Sequence, residues 1–118
     1  MSDLRVTPDK YLPFRYAGAS GDFNPIHLDP ELAKAVGFPS NILHGLWGMA
    51  QVARAAVEEG GGDPRSLKRL SVQFRGIGLP EQEIVVTATP KEDGKLDLVA
   101  QQEDRQIVKN AEAELSRG

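Results

Sequence analysis

The 118-residue sequence contains no cysteine at all. This absence excludes a disulfide framework, a cysteine-ligated metal site and a thiol nucleophile. Histidine is almost as scarce, because His27 and His44 are the only two in the chain. Any chemistry that needs an imidazole therefore depends on this pair. Since two histidines do not form a cluster of ligands, we expect no metal site.

The sequence also lacks a long apolar run and an excess of basic residues. No segment approaches transmembrane length, and the amino terminus lacks the apolar core of a signal peptide, so we expect a cytoplasmic protein that does not bind membranes. A net charge of −3 argues against a nucleic-acid partner. One loose basic group indicates either a solvated strand face, the simpler interpretation, or a contact for a nucleotide-bearing thioester. Its members are Arg65, Lys68, Arg69 and Arg75.

Helical signals dominate the first half of what we interpret as a single domain, residues 1–118. Thr7-Pro8 indicates a helix start, and a short helix is expected around residues 14–19. Asp29-Pro30 opens a second short helix, which Gly37 ends. Residues 44–59 form the longest helical pattern. Its apolar stripe is expected to be buried and consists of Leu46, Met49, Ala50, Ala53, Ala56 and Val57.

Strand signals dominate the second half, after a short strand predicted at residues 4–6. The segments 67–76, 83–89, 95–103 and 106–115 are separated by turn signals. Their connections are too short for crossover helices, which favours antiparallel meander pairing. A long helix and an antiparallel sheet in so small a chain predict an α+β fold with the sheet curled over the helix. Because the sheet would keep exposed edges, we expect a dimer.

Residues 20–27 bring a carboxylate, an amide and an imidazole close together in the chain. As a simple turn, the segment uses Gly, Asp, Asn and Pro in the usual way. The rigid Asn24-Pro25 step between Asp22 and His27 would also fix their relative geometry. A carboxylate and an imidazole that reach one water suit general acid–base catalysis near neutral pH. We interpret Asp22 and His27 as a candidate acid–base pair.

The start of the predicted long helix is a second candidate site. A helix amino terminus offers unpaired N–H groups and partial positive charge, and Gly45 would let a ligand approach the backbone. This arrangement suits an oxyanion hole, although Gly45 is equally explained by tight packing. His44 is more typical of a capping or packing residue than of a catalytic one. Trp47 and Met49 are typical of core or pocket wall.

The segment from Tyr16 to Asp29, YAGASGDFNPIHLD, resembles the signature of the MaoC-like (R)-specific enoyl-CoA hydratases and the related 3-hydroxyacyl-thioester dehydratases. The similarity continues through Ala33, Gly37-Phe38 and the segment from Ile42 to Leu46, and so covers residues 16–50. The resemblance implies a hotdog fold, in which an antiparallel sheet wraps a long central helix. It also implies reversible hydration of trans-2-enoyl thioesters of CoA or acyl carrier protein, with no cofactor or metal.

The resemblance assigns roles to individual residues. It implies that Asp22 and His27 bind and activate the water, that Asn24 supports them, and that the Gly45 N–H binds the thioester carbonyl. Further substrate contacts are expected from the start of the helix, at His44, Leu46, Trp47 and Met49. A homodimer is the expected assembly. A heterodimer is the alternative, because some hotdog subunits work beside a different chain.

Two departures and two alternative functions accompany this interpretation. Only 15 residues precede the motif, and Gln51-Val52-Ala53-Arg54 has no hydroxyl where the family can show a serine, which affects substrate positioning.

A non-catalytic or partner-dependent subunit that binds acyl thioesters is one alternative, against which the retained Asp22 and His27 argue. A hotdog acyl-CoA thioesterase is the other. Thioesterases of this fold use a carboxylate on or near the central helix, whereas Glu58 and Glu59 lie at the far end of the predicted long helix.

Overall fold

The computed structural model describes residues 2–116. The described strands are β1 (Ser2–Val6), β2 (Leu67–Phe74), β3 (Ile84–Pro90), β4 (Lys95–Gln102) and β5 (Arg105–Leu115). The α-helices are α1 (Leu12–Ser20), α2 (Pro25–Leu28), α3 (Pro30–Ala35) and α4 (Gly45–Glu59), and single 3₁₀ turns lie at Pro64–Ser66 and Glu92–Gly94. Within this part of the chain, no helix combines the length and the apolar character needed to cross a membrane.

The five strands form one sheet in the order β1–β3–β4–β5–β2, and every neighbouring pair is antiparallel. The meander prediction is confirmed for β3, β4 and β5. It is wrong for β2, which pairs with β5 instead of β3. Residues 75–83, which we call the crossing segment, therefore carry the chain from edge strand β2 past β5 and β4 to β3. Turn signals cannot reveal this step, because strand order depends on contacts between distant residues.

A buried glutamine holds the crossing segment in place. Gln102 is fully buried, and its Nε2 donates to the carbonyl oxygens of Leu79 (2.7 Å) and Gln82 (3.0 Å). Its Oε1 accepts from the Leu79 N–H at 2.8 Å. Arg105 also donates to the Ile77 carbonyl at 3.3 Å. A buried amide with every group paired avoids the cost of an unsatisfied polar group, so this clamp fixes the segment without destabilising the core.

Helix α4 packs against all five strands, but of the predicted stripe only Ala56 belongs to its fully buried face. Val52, Ala55 and Ala56 are at most 4% exposed, whereas Leu46 is 63% exposed and Ala50 is also exposed. The remaining members of the predicted stripe, Met49, Ala53 and Val57, are half-buried. Both faces of α4 are apolar, so periodicity alone does not show which one the sheet covers. The sheet selects the face whose small side chains allow close approach.

The sheet supplies the rest of the core from alternate positions. These inward residues of β3 and β4 are at most 3% exposed and comprise Ile84, Val86, Ala88, Leu96, Leu98 and Ala100. The alternation predicted for β5 is confirmed at Ala111 and Ala113, which are both buried. The described strands and α4 thus form the predicted α+β fold.

The short helices follow their capping signals with one exception. Helix α1 begins at Leu12, so the start predicted at Thr7-Pro8 is wrong, and Pro13 lies in the first helical turn, where a missing N–H costs nothing. The cap of α3 is confirmed, since the Asp29 carboxylate accepts from two N–H groups of the first turn, at 3.0 and 3.3 Å. Gly37 follows α3 with a φ of +103°, a conformation that favours glycine.

Candidate active site

Asn24 organises the loop that carries Asp22 and His27. Its Oδ1 accepts from the Ile26 N–H at 3.2 Å and caps the one-turn helix α2, in which Pro25 takes the first position and His27 the third. The Asn24 N–H in turn donates to Asp22 Oδ1 at 3.2 Å. The Asn24-Pro25 step is thus a helix start as well as a turn. Asn24 supports the candidate pair through this cap and through its backbone.

His27 is held in one orientation and one tautomer. His27 as a whole is 7% exposed, and its Nδ1 lies 2.8 Å from the Ile42 carbonyl oxygen. Because a carbonyl oxygen only accepts, Nδ1 carries the proton and Nε2 of the neutral ring is left as the proton acceptor. Asn41 donates to the His27 carbonyl at 3.0 Å and Ile42 donates to the Ile26 carbonyl at 2.9 Å, which fixes the backbone as well.

The Asp22 carboxylate faces the free nitrogen of His27. Asp22 Oδ2 lies 3.7 Å from His27 Nε2, and the Asp22 side chain is 52% exposed, against 9% for His27. This separation exceeds a direct hydrogen bond, yet one water at about 2.8 Å from each atom fits between them. A solvent-accessible carboxylate and a fixed proton acceptor therefore border the same water-sized space.

His44 joins this pair to the start of α4. His44 is 3% exposed, and its ring stacks on that of His27, with centroids 3.8 Å apart and planes inclined by 18°. Tyr16 contacts the same ring at a centroid distance of 4.7 Å. Nε2 of His44 donates to the main-chain oxygen of Asp22 at 3.0 Å. His44 therefore fixes the backbone of Asp22 relative to the ring of His27.

The same three side chains do not suit a metal ion. One candidate ligand atom from each of Asp22, His27 and His44 lies within 4.8 Å of the others. A metal binds an imidazole nitrogen in the plane of the ring, and the two nearly parallel rings are separated by 3.8 Å. A single ion cannot lie in both planes. The stacked geometry suits proton transfer at His27 better than shared coordination.

The amino terminus of α4 lies beside the pair. Within residues 2–116, no acceptor is hydrogen-bonded to the N–H groups of Gly45 and Leu46, and Gly45 is exposed. A Cβ at Gly45 would lie 3.4 Å from the ring of Phe74. Glycine thus keeps open a narrow approach to these N–H groups. Phe74 was missed by sequence reasoning, because its position at the end of β2 reaches α4 only through the strand order.

A mostly apolar cavity of about 180 Å³ opens next to His27, His44 and Gly45. It is lined by His27, residues 42–44, the start of α4, the crossing segment and residues of β2, β3 and β5. Trp47 lies in its wall, whereas the exposed Leu46 and the half-buried Met49 lie outside the lining. The structure thus brings six of the eight sequence-predicted site residues into direct contact with the cavity or the pair: Asp22, Asn24, His27, His44, Gly45 and Trp47.

Two of the four members of the basic group on and beside β2 form ion pairs. Arg65 lies 3.1 Å from the Asp63 carboxylate, and Lys68 lies 3.7 Å from that of Glu114. Arg69 and Arg75 are exposed and have no ion pair among the residues described. Of these two, Arg75 follows Phe74 at the beginning of the crossing segment, near the cavity.

Comparisons with known proteins agree with this architecture. The chain is 38% identical over 82 residues to the peroxisomal enoyl-CoA hydratase 2 of Arabidopsis thaliana, an alignment that covers 69% of this chain and 26% of the relative. It superposes on a MaoC-like dehydratase from Phytophthora capsici with a TM-score of 0.91 and 31% identity, over 99% of this chain and 42% of that one. The chain therefore spans about a quarter of the first protein and less than half of the second.

A third similarity is to a chain of the ChsH1–ChsH2 complex from Mycobacterium tuberculosis, with a TM-score of 0.81 and 20% identity, over 100% of this chain and 94% of that one. At this identity the likeness concerns the fold, and the expected hotdog fold is confirmed. Residues 2–112 also match the family described as MaoC like domain. This chain belongs to the MaoC-like domain family, whose members similar to it include enoyl-CoA hydratases and hydroxyacyl-thioester dehydratases.

Proposed function

We propose that this chain catalyses the reversible hydration of trans-2-enoyl thioesters to (R)-3-hydroxyacyl thioesters. One observation supports the proposal above the others. The proton-accepting Nε2 of His27 lies 3.7 Å from the Asp22 carboxylate, beside the open amino terminus of α4. A proton acceptor, a water-orienting carboxylate and an oxyanion site are what this addition requires.

The chemistry follows from the order of these groups. Asp22 and His27 hold a water, and His27 Nε2 takes one of its protons as the oxygen bonds to C3 of the enoyl group. The C2–C3 π electrons move towards the carbonyl, and the N–H of Gly45 and the dipole of α4 stabilise the resulting enolate. The pair then returns a proton to C2, so oxygen and hydrogen add to the same face. Dehydration is the reverse path.

We propose an acyl thioester of CoA or acyl carrier protein as the substrate. The apolar cavity suits the acyl chain, since concave apolar sites with few polar groups bind such ligands. Arg75, which forms no ion pair with the residues that the structure describes, lies next to the cavity and supplies a positive charge for a phosphate-bearing carrier.

We also propose that the chain works as a homodimer, with a heterodimer as the alternative. The outer face of α4 exposes Leu46 and Ala50, and half-buried apolar residues continue it. Exposed apolar patches of this kind commonly mark interfaces. The similar structure from Mycobacterium tuberculosis is a complex of two different chains, which is why the heterodimer stays open.

The thioesterase alternative has less structural support. Glu58 and Glu59 end α4, 13 and 14 residues after Gly45. At 1.5 Å per residue they lie about 20 Å from the candidate site along the helix axis. Neither carboxylate therefore reaches a thioester bound at Gly45.

The test is the loss of enoyl absorbance from crotonyl-CoA and longer trans-2-enoyl-CoAs, with a thiol assay in parallel. We expect the absorbance to fall without thiol release, and the His27→Ala variant to lose this activity. The Glu58→Gln variant is the control and keeps the wild-type rate. Thiol release would indicate a thioesterase. No absorbance loss at any chain length would reject the proposal.

A further inference from the structure

The cavity beside the candidate pair has an open end and a closed end. At the open end lie Gly45 and Phe74, and Phe74 is 54% exposed. At the closed end lie Ile84 and Val108, which are each 1% exposed. A thioester whose carbonyl binds at Gly45 and whose C3 faces His27 therefore directs its acyl tail towards Ile84 and Val108. This placement rests on the proposed function.

The volume of the cavity limits the length of that tail. The cavity measures about 180 Å³. Since a protein cavity of about 150 Å³ accommodates the six carbons of benzene, the available space corresponds to roughly seven carbon atoms. A tail that enters at C2 or C3 thus fills the cavity when the whole acyl chain has about eight carbons.

The closed end is held from several sides and does not yield easily. The Leu43 N–H donates to the Gly78 carbonyl at 2.8 Å, and Gln102 clamps the next residue, Leu79. Ile84 pairs with Gln102 in the sheet. The wall is already tight at Gly78, where a Cβ would lie 3.0 Å from Leu43 Cδ1 and 3.7 Å from Ile107 Cδ1.

We propose that this closed cavity selects trans-2-enoyl thioesters with straight acyl chains of about four to eight carbons. Ile84 sets the limit at the floor of the cavity, and Gly78 sets it at the wall. Longer chains would need to displace buried side chains that the clamp of the crossing segment holds in place.

The experiment measures kcat/KM for trans-2-enoyl-CoAs of about 4, 8, 12 and 16 carbons. We expect kcat/KM of the wild-type protein to fall at least about tenfold between 8 and 12 carbons, because even one methylene group that the pocket does not accommodate has an effect of that size. Ile84→Ala, which removes three side-chain carbons from the floor, shifts the preference to longer chains. Gly78→Ala narrows the wall and lowers the ratio of the 8-carbon to the 4-carbon value. Val85→Ala, outside the cavity lining, is the control and keeps the wild-type profile.

The outcomes separate this inference from the proposed function. If no chain length is hydrated, the proposed function fails. If 12- and 16-carbon chains are hydrated as fast as the 8-carbon chain, hydration stands and the length limit is overturned. Should Ile84→Ala fail to fold by circular dichroism, Ile84→Val and Gly78→Ala still decide the matter, because they must shift the profile in opposite directions. Identical profiles in both variants would also overturn it.

Discussion

The hydrogen bond from His44 to the main chain of Asp22 offers a sharp test of how the site is held together. It spans 3.0 Å and links the loop to the residue that precedes α4. His44→Phe keeps a ring that can stack on His27 and removes the donor. The Asp22 carbonyl oxygen then loses its partner at a partly buried position.

The expected magnitudes follow from this single lost contact. An unsatisfied, partly buried carbonyl destabilises the fold by about 1 kcal/mol, which lowers Tm by about 4 °C in a domain of this size. The released Asp22 no longer keeps its place opposite His27, and a displacement of about 1 Å costs up to roughly a hundredfold in rate. We expect kcat to fall between about tenfold and a hundredfold. KM changes little, because the thioester contacts at Gly45 and in the cavity remain.

The assay is enoyl-CoA hydration with kcat and KM measured separately, together with thermal unfolding. His44→Gln is the matched variant, since its amide keeps a donor without the ring, and it should recover part of kcat. A wild-type kcat with a raised KM in His44→Phe would refute a positioning role. His44 would then contact the substrate directly, as the sequence had suggested.

Three further predictions concern separate contacts. Asn24→Ala removes the cap of α2 and should lower the stability of the fold by about 1 kcal/mol and the hydration rate severalfold. Asn24→Asp should keep both the stability and the rate. A wild-type rate in Asn24→Ala would reduce Asn24 to a turn residue. Gly45→Val places a branched side chain at the oxyanion site and should lower kcat/KM by at least about a hundredfold, and unchanged kinetics would remove the oxyanion assignment. On the sheet surface, Lys91 lies 2.7 Å from Glu112 and lowers the pKa of that carboxyl. The stabilisation of the fold by this ion pair is therefore complete above the ordinary glutamate pKa, and it is lost as the pH falls through the lowered pKa. Lys91→Met should therefore lower Tm at neutral pH and not in strong acid, with hydration unchanged, and an equal loss of Tm at both pH values would contradict this assignment.

Local signals in the sequence predicted local structure well. The Asp29 cap, the turn around Asn24-Pro25 and the alternation at Ala111 and Ala113 depend on residues close in the chain, and the structure contains all of them. The buried face of α4 was predicted correctly only at Ala56, because the helix is apolar on two sides and only the sheet decides between them. The partner of β2 was missed for the same reason, since it depends on a clamp between distant residues.

The candidate site shows the same division between local and distant information. Asp22 and His27 are five residues apart, so their proximity was predictable from the rigid step between them. The tautomer of His27 was not, because its hydrogen-bond partner is the carbonyl of Ile42, 15 residues away. Phe74 likewise reaches the site only through the fold.

The most direct test of the account compares two carboxylates in the crotonyl-CoA hydration assay. Asp22 faces His27, whereas Asp29 caps α3 and has no part in the proposed chemistry. We predict that Asp22→Asn folds normally and loses at least about a hundredfold in rate, while Asp29→Asn, whose amide oxygen still caps the helix, keeps the wild-type rate. Full activity in Asp22→Asn would contradict the assignment of Asp22 and His27 as the acid–base pair.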